Sequence, residues 1–188
     1  MNRVVIPVLV ISAAVILGLS TLRLWLGSHD PSKETSTETA EEEDLVGTIL
    51  PDFPIQVYGE PSASALSAHL GKVTLINFWA TWCEACIVEM PSIRKLRAAF
   101  HSRGFEVLAV SLDENPSEVL PKAIKEFGLD FGIFLDPDQK ISDHFDVHAI
   151  PFTAVIAHDR RILFTESGER DWNSKEVHDL MQGWLKAP

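Results

Sequence analysis

Cysteine and positive charge are both scarce in this sequence. Only two of the 188 residues are cysteine, too few for a disulfide-rich scaffold or for a zinc site with four thiolate ligands. The 16 Lys and Arg residues are outnumbered by 27 Asp and Glu residues, which gives a formal net charge of -11. Because a nucleic-acid-binding protein needs a basic footprint, we expect no nucleic acid among the partners of this chain.

Glycine and proline are present at ordinary levels. The chain has 10 Gly and 11 Pro, and 23% of its residues are charged, values close to globular averages. This composition excludes a collagen-like, coiled-coil or wholly disordered chain. The length allows one ordinary domain and an appendage.

The N-terminal appendage begins with an uncharged apolar run from Val4 to Leu22. As a helix the run would span about 28 Å, close to the thickness of a bilayer core. It is either a cleaved signal peptide or an uncleaved anchor. The run is longer than a usual signal core, no A-x-A-like site follows, and Trp25 has the position of an interfacial aromatic residue. These features favour a single-pass anchor over residues 1–27.

The segment after the apolar run is acidic. Seven acids and one lysine occupy Gly27 to Asp44, so nothing basic holds this side in the cytoplasm. Residues 28–44 also have almost no apolar side chains, which predicts a disordered linker. We therefore expect the domain over residues 45–188 to lie on the extracytoplasmic side of the cytoplasmic membrane.

This domain alternates predicted strands and helices. Apolar runs predict buried strands at 73–79, 106–112 and 132–135, and a hairpin at 152–158 and 162–166. Helical periodicity predicts helices up to about Phe100, over Ser117–Phe127, around Lys140–Phe145 and near the C-terminus, with Asn173 and Glu176 as caps of the last one. The pattern indicates an α/β fold with a mixed central sheet and helices on both faces.

Both cysteines lie between the first buried strand and its helix. Cys83 and Cys86 are three residues apart at a helix start, where they can close a small disulfide. The positive end of the helix favours a thiolate at Cys83, which makes it the expected nucleophile, with Cys86 as the buried resolving thiol. A structural disulfide would stabilise little in so short a loop, and a two-coordinate Cu(I) pair is the other alternative. The spacing favours a redox-active pair.

The motifs around this pair resemble a known family. FWATWCEAC, Glu89, Pro91, SLDE at 111–114 and AIPFTAVI at 149–156 are similar to the membrane-anchored thioredoxin-like proteins of the TlpA/ResA/DsbE type. The likeness covers about Gly47 to Trp184. It implies a thioredoxin fold, no cofactor, and thiol-disulfide exchange outside the cytoplasm. It also implies a bacterial protein whose catalytic domain lies on the periplasmic side of the cytoplasmic membrane. Many members reduce the cysteines of apocytochrome c before haem attachment.

The resemblance assigns roles to several residues. It implies that Cys83 attacks and Cys86 resolves, and that Pro151 is a cis-proline facing the dithiol. The backbone of Ile150 would then pair with an extended substrate, and Trp82 would contact it. Within the family, a glutamate at the position of Glu89 is proposed to move protons during the reaction.

The alternative interpretation of Glu89 is a solvated helix acid with no role. Asn77 stands where cytoplasmic thioredoxins carry a buried aspartate.

His144 and His148 are four residues apart, but no convergent acid or cysteine supports a metal site, so we expect no metal.

Three positions affect how far the resemblance extends. Ala85 replaces the proline of the common WCxPC motif, and Phe152 replaces the usual threonine, which predicts a more apolar substrate groove. Glu84 is expected to disfavour the Cys83 thiolate and to make the pair more reducing.

The leading hypothesis is an enzyme that reduces protein disulfides, such as those of apocytochrome c, and is itself re-reduced by a membrane dithiol donor. A disulfide donor that uses the same dithiol and a non-enzymatic Cu(I)-binding carrier are the alternatives.

Overall fold

A seven-stranded mixed sheet is the centre of the fold. The computed structural model describes residues 45–187. Its strands are β1 (Pro54–Val57), β2 (Ala63–Ala65), β3 (Val73–Trp79), β4 (Phe105–Ser111), β5 (Gly132–Leu135), β6 (Phe152–Ala157) and β7 (Ile162–Ser167), in the spatial order β2-β1-β5-β4-β3-β6-β7. Strands β3, β4 and β5 pair in parallel, and every other pairing is antiparallel.

Within residues 45–187, four α-helices connect or follow these strands. They are α1 (Glu84–Phe100), α2 (Pro116–Phe127), α3 (Lys140–His144) and α4 (Lys175–Trp184). Short 3-10 turns occupy Leu66–His69 and His101–Arg103. Gly104 and Gly128 have φ angles of 98° and 60° at the predicted helix stops, a left-handed conformation that glycine adopts without steric cost.

Hydrophobic side chains cover both faces of the sheet. Along β3, Leu75 and Trp79 point to one face and pack with buried residues of α1, α2 and α4. Ile76 and Phe78 point to the other face and pack in a second cluster that includes Ile141 of α3. All seven residues of β3 are buried, because it is a central strand covered on both sides. The predicted mixed sheet with helices on both faces is confirmed.

Several local predictions need correction. The N-cap of α4 is Ser174, whose side chain accepts from the N–H of Val177, and not Asn173, whose side chain instead contacts His178. Leu180, on the apolar side of α4, is 37% exposed. Strands β1 and β2 were not predicted from the sequence, because they are short and only Ile55 is fully buried in them.

The predicted anchor at 1–27 and linker at 28–44 lie outside the described residues. Within residues 45–187, no helix combines the length and the apolar character needed to cross a bilayer.

Candidate active site

The two cysteines lie at the junction of β3 and α1. The loop that follows Trp79 places Cys83 at the N-cap of α1, and Cys86 lies in the first turn of that helix. The two form a disulfide, with 5.3 Å between their Cα atoms. Cys83 is 7% exposed and Cys86 is fully buried, so another protein reaches the pair through Cys83.

The helix start creates an electropositive setting for Cys83. Its Sγ accepts a hydrogen bond from the backbone N–H of Cys86 over 3.2 Å. In the reduced protein, this N–H and the positive end of the helix dipole would favour a thiolate on Cys83. Cys86 does not occupy the N-cap, and its burial in an apolar core favours the neutral thiol.

The loop before β6 faces Cys83. The Ile150–Pro151 peptide bond is cis, as the resemblance implies, and the carbonyl oxygen of Ile150 lies 3.6 Å from the Sγ of Cys83. The N–H of Gly168 donates to the carbonyl oxygen of Pro151 over 2.8 Å, which holds this loop to the end of β7. The structure therefore brings Cys83, Ile150 and Pro151 together.

Exposed apolar side chains flank the dithiol. Trp82 is 70% exposed immediately before Cys83, and Val88 is 56% exposed one helical turn after Glu84. Ile150 is half-buried. Exposed apolar groups beside a reactive sulfur are typical of a surface that contacts another molecule.

Phe152 does not enlarge this apolar surface, and the prediction of a more apolar groove at that position is wrong. Its side chain is 3% exposed. It packs on Phe78 and Phe145, with ring centroids 6.0 and 5.7 Å away. As the first residue of β6, Phe152 points into the core of the second face.

Asp113 holds the loop that precedes the cysteines. Its carboxylate accepts from the N–H of Thr81 at 3.1 Å and from the Thr81 hydroxyl at 2.7 Å. The hydroxyl of Ser111 donates to the same carboxylate over 2.9 Å. In the sequence, Asp113 is recognisable only as part of the SLDE motif at 111–114. The signal that could have assigned it is its place just after β4, since parallel neighbours such as β3 and β4 end at one edge of the sheet.

Glu89 is a buried acid surrounded by donors. It is 2% exposed, so the alternative of a solvated helix acid is wrong. The amide of Asn77 donates to Oε1 over 2.8 Å. The indole N–H of Trp172 and the backbone N–H of Arg170 donate to Oε2 over 3.1 and 3.3 Å. Glu89 lies three residues after Cys86, which puts the two side chains on one face of α1.

Burial and hydrogen bonding act in opposite directions on this acid. Burial raises the pKa of Glu89 from its ordinary value of 4.5 to about 7, and the negative charge of Glu169 adds to the rise. The hydrogen bonds from Trp172, Asn77 and Arg170 oppose it. Glu89 can therefore gain or lose a proton near neutral pH, as a group that exchanges protons with a thiol must.

Asn77 links Glu89 to the proline loop. Its Nδ2 donates both to Glu89 and, over 2.9 Å, to the hydroxyl of Thr153, its partner across β3 and β6. The Oδ1 of Asn77 has no hydrogen-bond partner among the described residues. If the amide rotates by half a turn, Oδ1 faces Glu89 and can accept from the protonated acid. Asn77 can therefore bond to Glu89 in either protonation state.

Arg170 and Trp172 were missed by sequence reasoning. They follow β7 in a polar loop, 81 and 83 residues after Glu89. The available signal was a tryptophan in an otherwise polar segment, and it does not identify a partner.

The histidines considered for a metal site have other surroundings. The ring of His148 lies 2.9 Å from the Asp146 carboxylate, and His144 packs against Phe53 and Phe145. Burial lowers the pKa of His144. Among residues 45–187, no group of three His, Cys, Asp or Glu side chains is arranged to hold a metal ion.

Comparison with known proteins gives consistent results. A family model described as Redoxin matches residues 45–182. The chain is 36% identical over 114 residues to the thiol-disulfide oxidoreductase ResA of Oceanobacillus iheyensis, a match that covers 59% of each protein. It is 30% identical over 146 residues to ResA of Bacillus thuringiensis, which covers 78% of this chain and 80% of that protein. The chain thus spans about three fifths of the length of the first of these relatives.

A solved structure supports the fold. A Chlorobium tepidum protein provisionally named thiol:disulfide interchange protein DsbE superposes with a TM-score of 0.66 and 24% identity, covering 74% of this chain and 97% of that one. The predicted thioredoxin-like fold is confirmed by this likeness, and the predicted relationship to the ResA type is confirmed by the sequence matches. The names of the relatives support the prediction of a redox enzyme.

Proposed function

The chain belongs to the Redoxin family, and on this premise we propose that it is a thiol-disulfide oxidoreductase that reduces protein disulfides through Cys83 and Cys86. The observation that carries the proposal is the accessibility of the pair: Cys83 is the only sulfur of the two that is not fully buried, and it lies at a helix N-cap beside the cis-proline loop.

The reaction follows from this arrangement. The Cys83 thiolate attacks one sulfur of a substrate disulfide. A mixed disulfide forms, and the other substrate sulfur leaves as a thiolate that takes a proton from solvent. Cys86 then passes its proton to the ionised carboxylate of Glu89 and attacks the Sγ of Cys83. The second substrate sulfur leaves as a thiolate that takes a proton from solvent, the Cys83–Cys86 disulfide forms, and Glu89 returns its proton to solvent. Two electrons have moved to the substrate, and a membrane dithiol donor returns them.

The substrate would lie across the apolar surface beside the dithiol. Trp82 contacts it, and the backbone of Ile150, ahead of Pro151, pairs with an extended segment that contains the substrate cysteine. The exposure of Trp82 and the 3.6 Å approach of Ile150 to Cys83 support this proposal.

Electrostatics around Cys86 favour reduction over disulfide donation. A strong oxidant stabilises its reduced form, usually as a thiolate. Here Cys86 is buried in an apolar cluster, three residues before the buried acid Glu89, so negative charge on Cys86 meets opposition. The charge of Glu84, the next residue after Cys83, weakens the support that the helix start gives to a Cys83 thiolate. The disulfide donor that uses the same dithiol is the competing function.

Location and physiological substrate are also part of this proposal. The apolar run at 4–22 and the acidic segment at 28–44 support an anchor and a linker that hold the domain on the extracytoplasmic side of the cytoplasmic membrane. The resemblance to the ResA type supports apocytochrome c as a substrate.

Trapping of the mixed disulfide between Cys83 and a substrate tests the proposed exchange reaction. Cys86→Ser removes the resolving thiol, so Cys83 should remain joined to its substrate in cells and appear on non-reducing gels as a band that reductant abolishes. Cys83→Ser is the matched control and should form no such band. If Cys86→Ser traps no protein and the wild-type protein binds Cu(I) stoichiometrically without exchanging disulfides, the chain is a copper carrier instead.

A further inference from the structure

The loop between β7 and α4 supplies two of the three hydrogen bonds to the carboxylate of Glu89. The indole Nε1–H of Trp172 and the backbone N–H of Arg170 both donate to Oε2 of the carboxylate. The third donor, Asn77, reaches the other oxygen from β3. Glu89 is therefore held between the sheet and this loop.

Trp172 is fixed in place by several contacts. It is 2% exposed. Its backbone N–H donates to the hydroxyl of Ser92 over 3.0 Å, and that hydroxyl donates to the carbonyl oxygen of Glu89 over 2.7 Å. The ring of Phe164 meets the indole edge to face at 6.4 Å, and the guanidinium of Arg170 lies 5.8 Å from the indole ring centre. The indole N–H is thus aimed at Glu89 before any substrate arrives.

We propose that Trp172 is a positioning residue of the dithiol site. It holds the ionised carboxylate of Glu89, three residues after Cys86 on α1, and so sets the pH range in which Glu89 can take up the thiol proton. The assignment rests on the thiol-disulfide exchange proposed above. Indole suits this role because it donates a hydrogen bond and accepts none. Its bond to the charged carboxylate is stronger than the bond it can make to the neutral acid, so Trp172 favours the ionised form.

The other groups that face Glu89 carry no positive charge that is free to stabilise its carboxylate, so the hydrogen bond from Trp172 is a main source of that stabilisation. From the sheet, Asn77 and, through it, Thr153 are neutral. From the loop, Glu169 opposes the carboxylate, and the Arg170 side chain is paired with Glu166 and Glu176. On α1 itself, the nearest titratable group is the Cys86 thiol of the reduced protein. Of the influences that lower the pKa of Glu89, the hydrogen bond from Trp172 is the largest.

The direct test removes the N–H and keeps an aromatic ring. In the full-length protein, purified in mild detergent and held in the disulfide form, 13C NMR of labelled glutamate carboxyls follows the titration of Glu89, which Glu89→Gln identifies. Trp172→Phe should raise the titration midpoint by about one to two pH units, the equivalent of one hydrogen bond to a charged group. Trp184→Phe is the matched control, because Trp184 packs on the same Phe164 ring at 6.1 Å without bonding to Glu89. It should leave the midpoint unchanged.

A second measurement connects the titration to the reaction. The pH dependence of the Cys86 step, measured as release of substrate from a preformed mixed disulfide, should move upward with Trp172→Phe by the same amount as the Glu89 midpoint. If the Phe variant does not fold, 3-benzothienylalanine at position 172 keeps the bicyclic ring and lacks the N–H.

The possible outcomes separate this inference from the proposed function. A Glu89 midpoint that moves no more with Trp172→Phe than with Trp184→Phe overturns the role of Trp172. A midpoint that moves while the pH profile of substrate release stays in place overturns it as well, because Glu89 would then not govern the Cys86 step. A wild-type protein that releases no substrate at any pH contradicts the proposed function, and the NMR titration still decides whether Trp172 controls the charge of Glu89.

Discussion

The buried acid at position 89 should make the folded protein less stable as the pH rises. Burial raises the pKa of Glu89 from 4.5 to about 7 in the folded state. The folded protein therefore binds this proton more tightly than the unfolded chain does. Its contribution to stability is fully present below about pH 4.5 and is lost as the pH rises to about 7. Each pH unit between the two values corresponds to about 1.4 kcal/mol, so the loss is on the order of 3 kcal/mol.

Glu89→Gln isolates this effect, because glutamine does not titrate. The structure can accept the substitution: one oxygen still faces Trp172 and Arg170, and rotation of the Asn77 amide turns its unpartnered Oδ1 toward the new NH2 group. At pH 4, the free energy of unfolding of the variant should be equal to or lower than that of wild type. Between pH 4 and pH 8, it should rise by about 3 kcal/mol relative to wild type. Other titrating groups cancel in the difference.

Urea unfolding of the disulfide form at several pH values between 4 and 8.5 measures this difference. Glu60→Gln, which changes an exposed acid in the same way, should follow the wild type at every pH. A difference between wild type and Glu89→Gln that stays constant across this range would refute the reasoning, since Glu89 would then be ionised or neutral throughout.

Three further predictions concern the surroundings of the site. Asp113→Asn weakens the hydrogen bonds to Thr81 and should reduce the free energy of unfolding, measured by denaturation, by about 1–2 kcal/mol. It should also slow the reduction of a protein disulfide, measured by exchange kinetics. Trp82→Ala should change stability by less than about 0.5 kcal/mol, because the side chain is 70% exposed, yet raise the KM for a protein substrate; an unchanged KM would remove Trp82 from the substrate surface. Ser174→Ala should cost about 1 kcal/mol through loss of the α4 cap, while Asn173→Ala should cost clearly less.

Local sequence patterns predicted the central part of the fold well. In strand β3, six of the seven residues are apolar or β-forming, all but Asn77, because the strand is buried on both faces. The hairpin of β6 and β7 is local in sequence. The position of Cys83 at the start of α1 follows from the same strand-to-helix junction. These features depend on short-range periodicity, which a single sequence records.

Features that depend on distant partners could not be predicted in this way. Strand β1 is only four residues long, and one of its two partners is the distant β5, where Gln56 pairs with Leu135. The burial of Glu89 depends on Trp172, 83 residues away, and nothing in the residues around either position indicates that contact. The cap of α4 was misassigned by one residue, because Asn173 and Ser174 are both good capping residues and the backbone decides between them.

The reduction potential of the Cys83–Cys86 pair tests the proposed direction of electron flow most directly. The full-length protein would be equilibrated in graded thiol buffers, with tryptophan fluorescence reporting the state of the adjacent dithiol. A dedicated reductant should have a potential near that of thioredoxin, about -270 mV, or lower. A value near -120 mV, roughly that of a strong disulfide donor, would contradict the proposal.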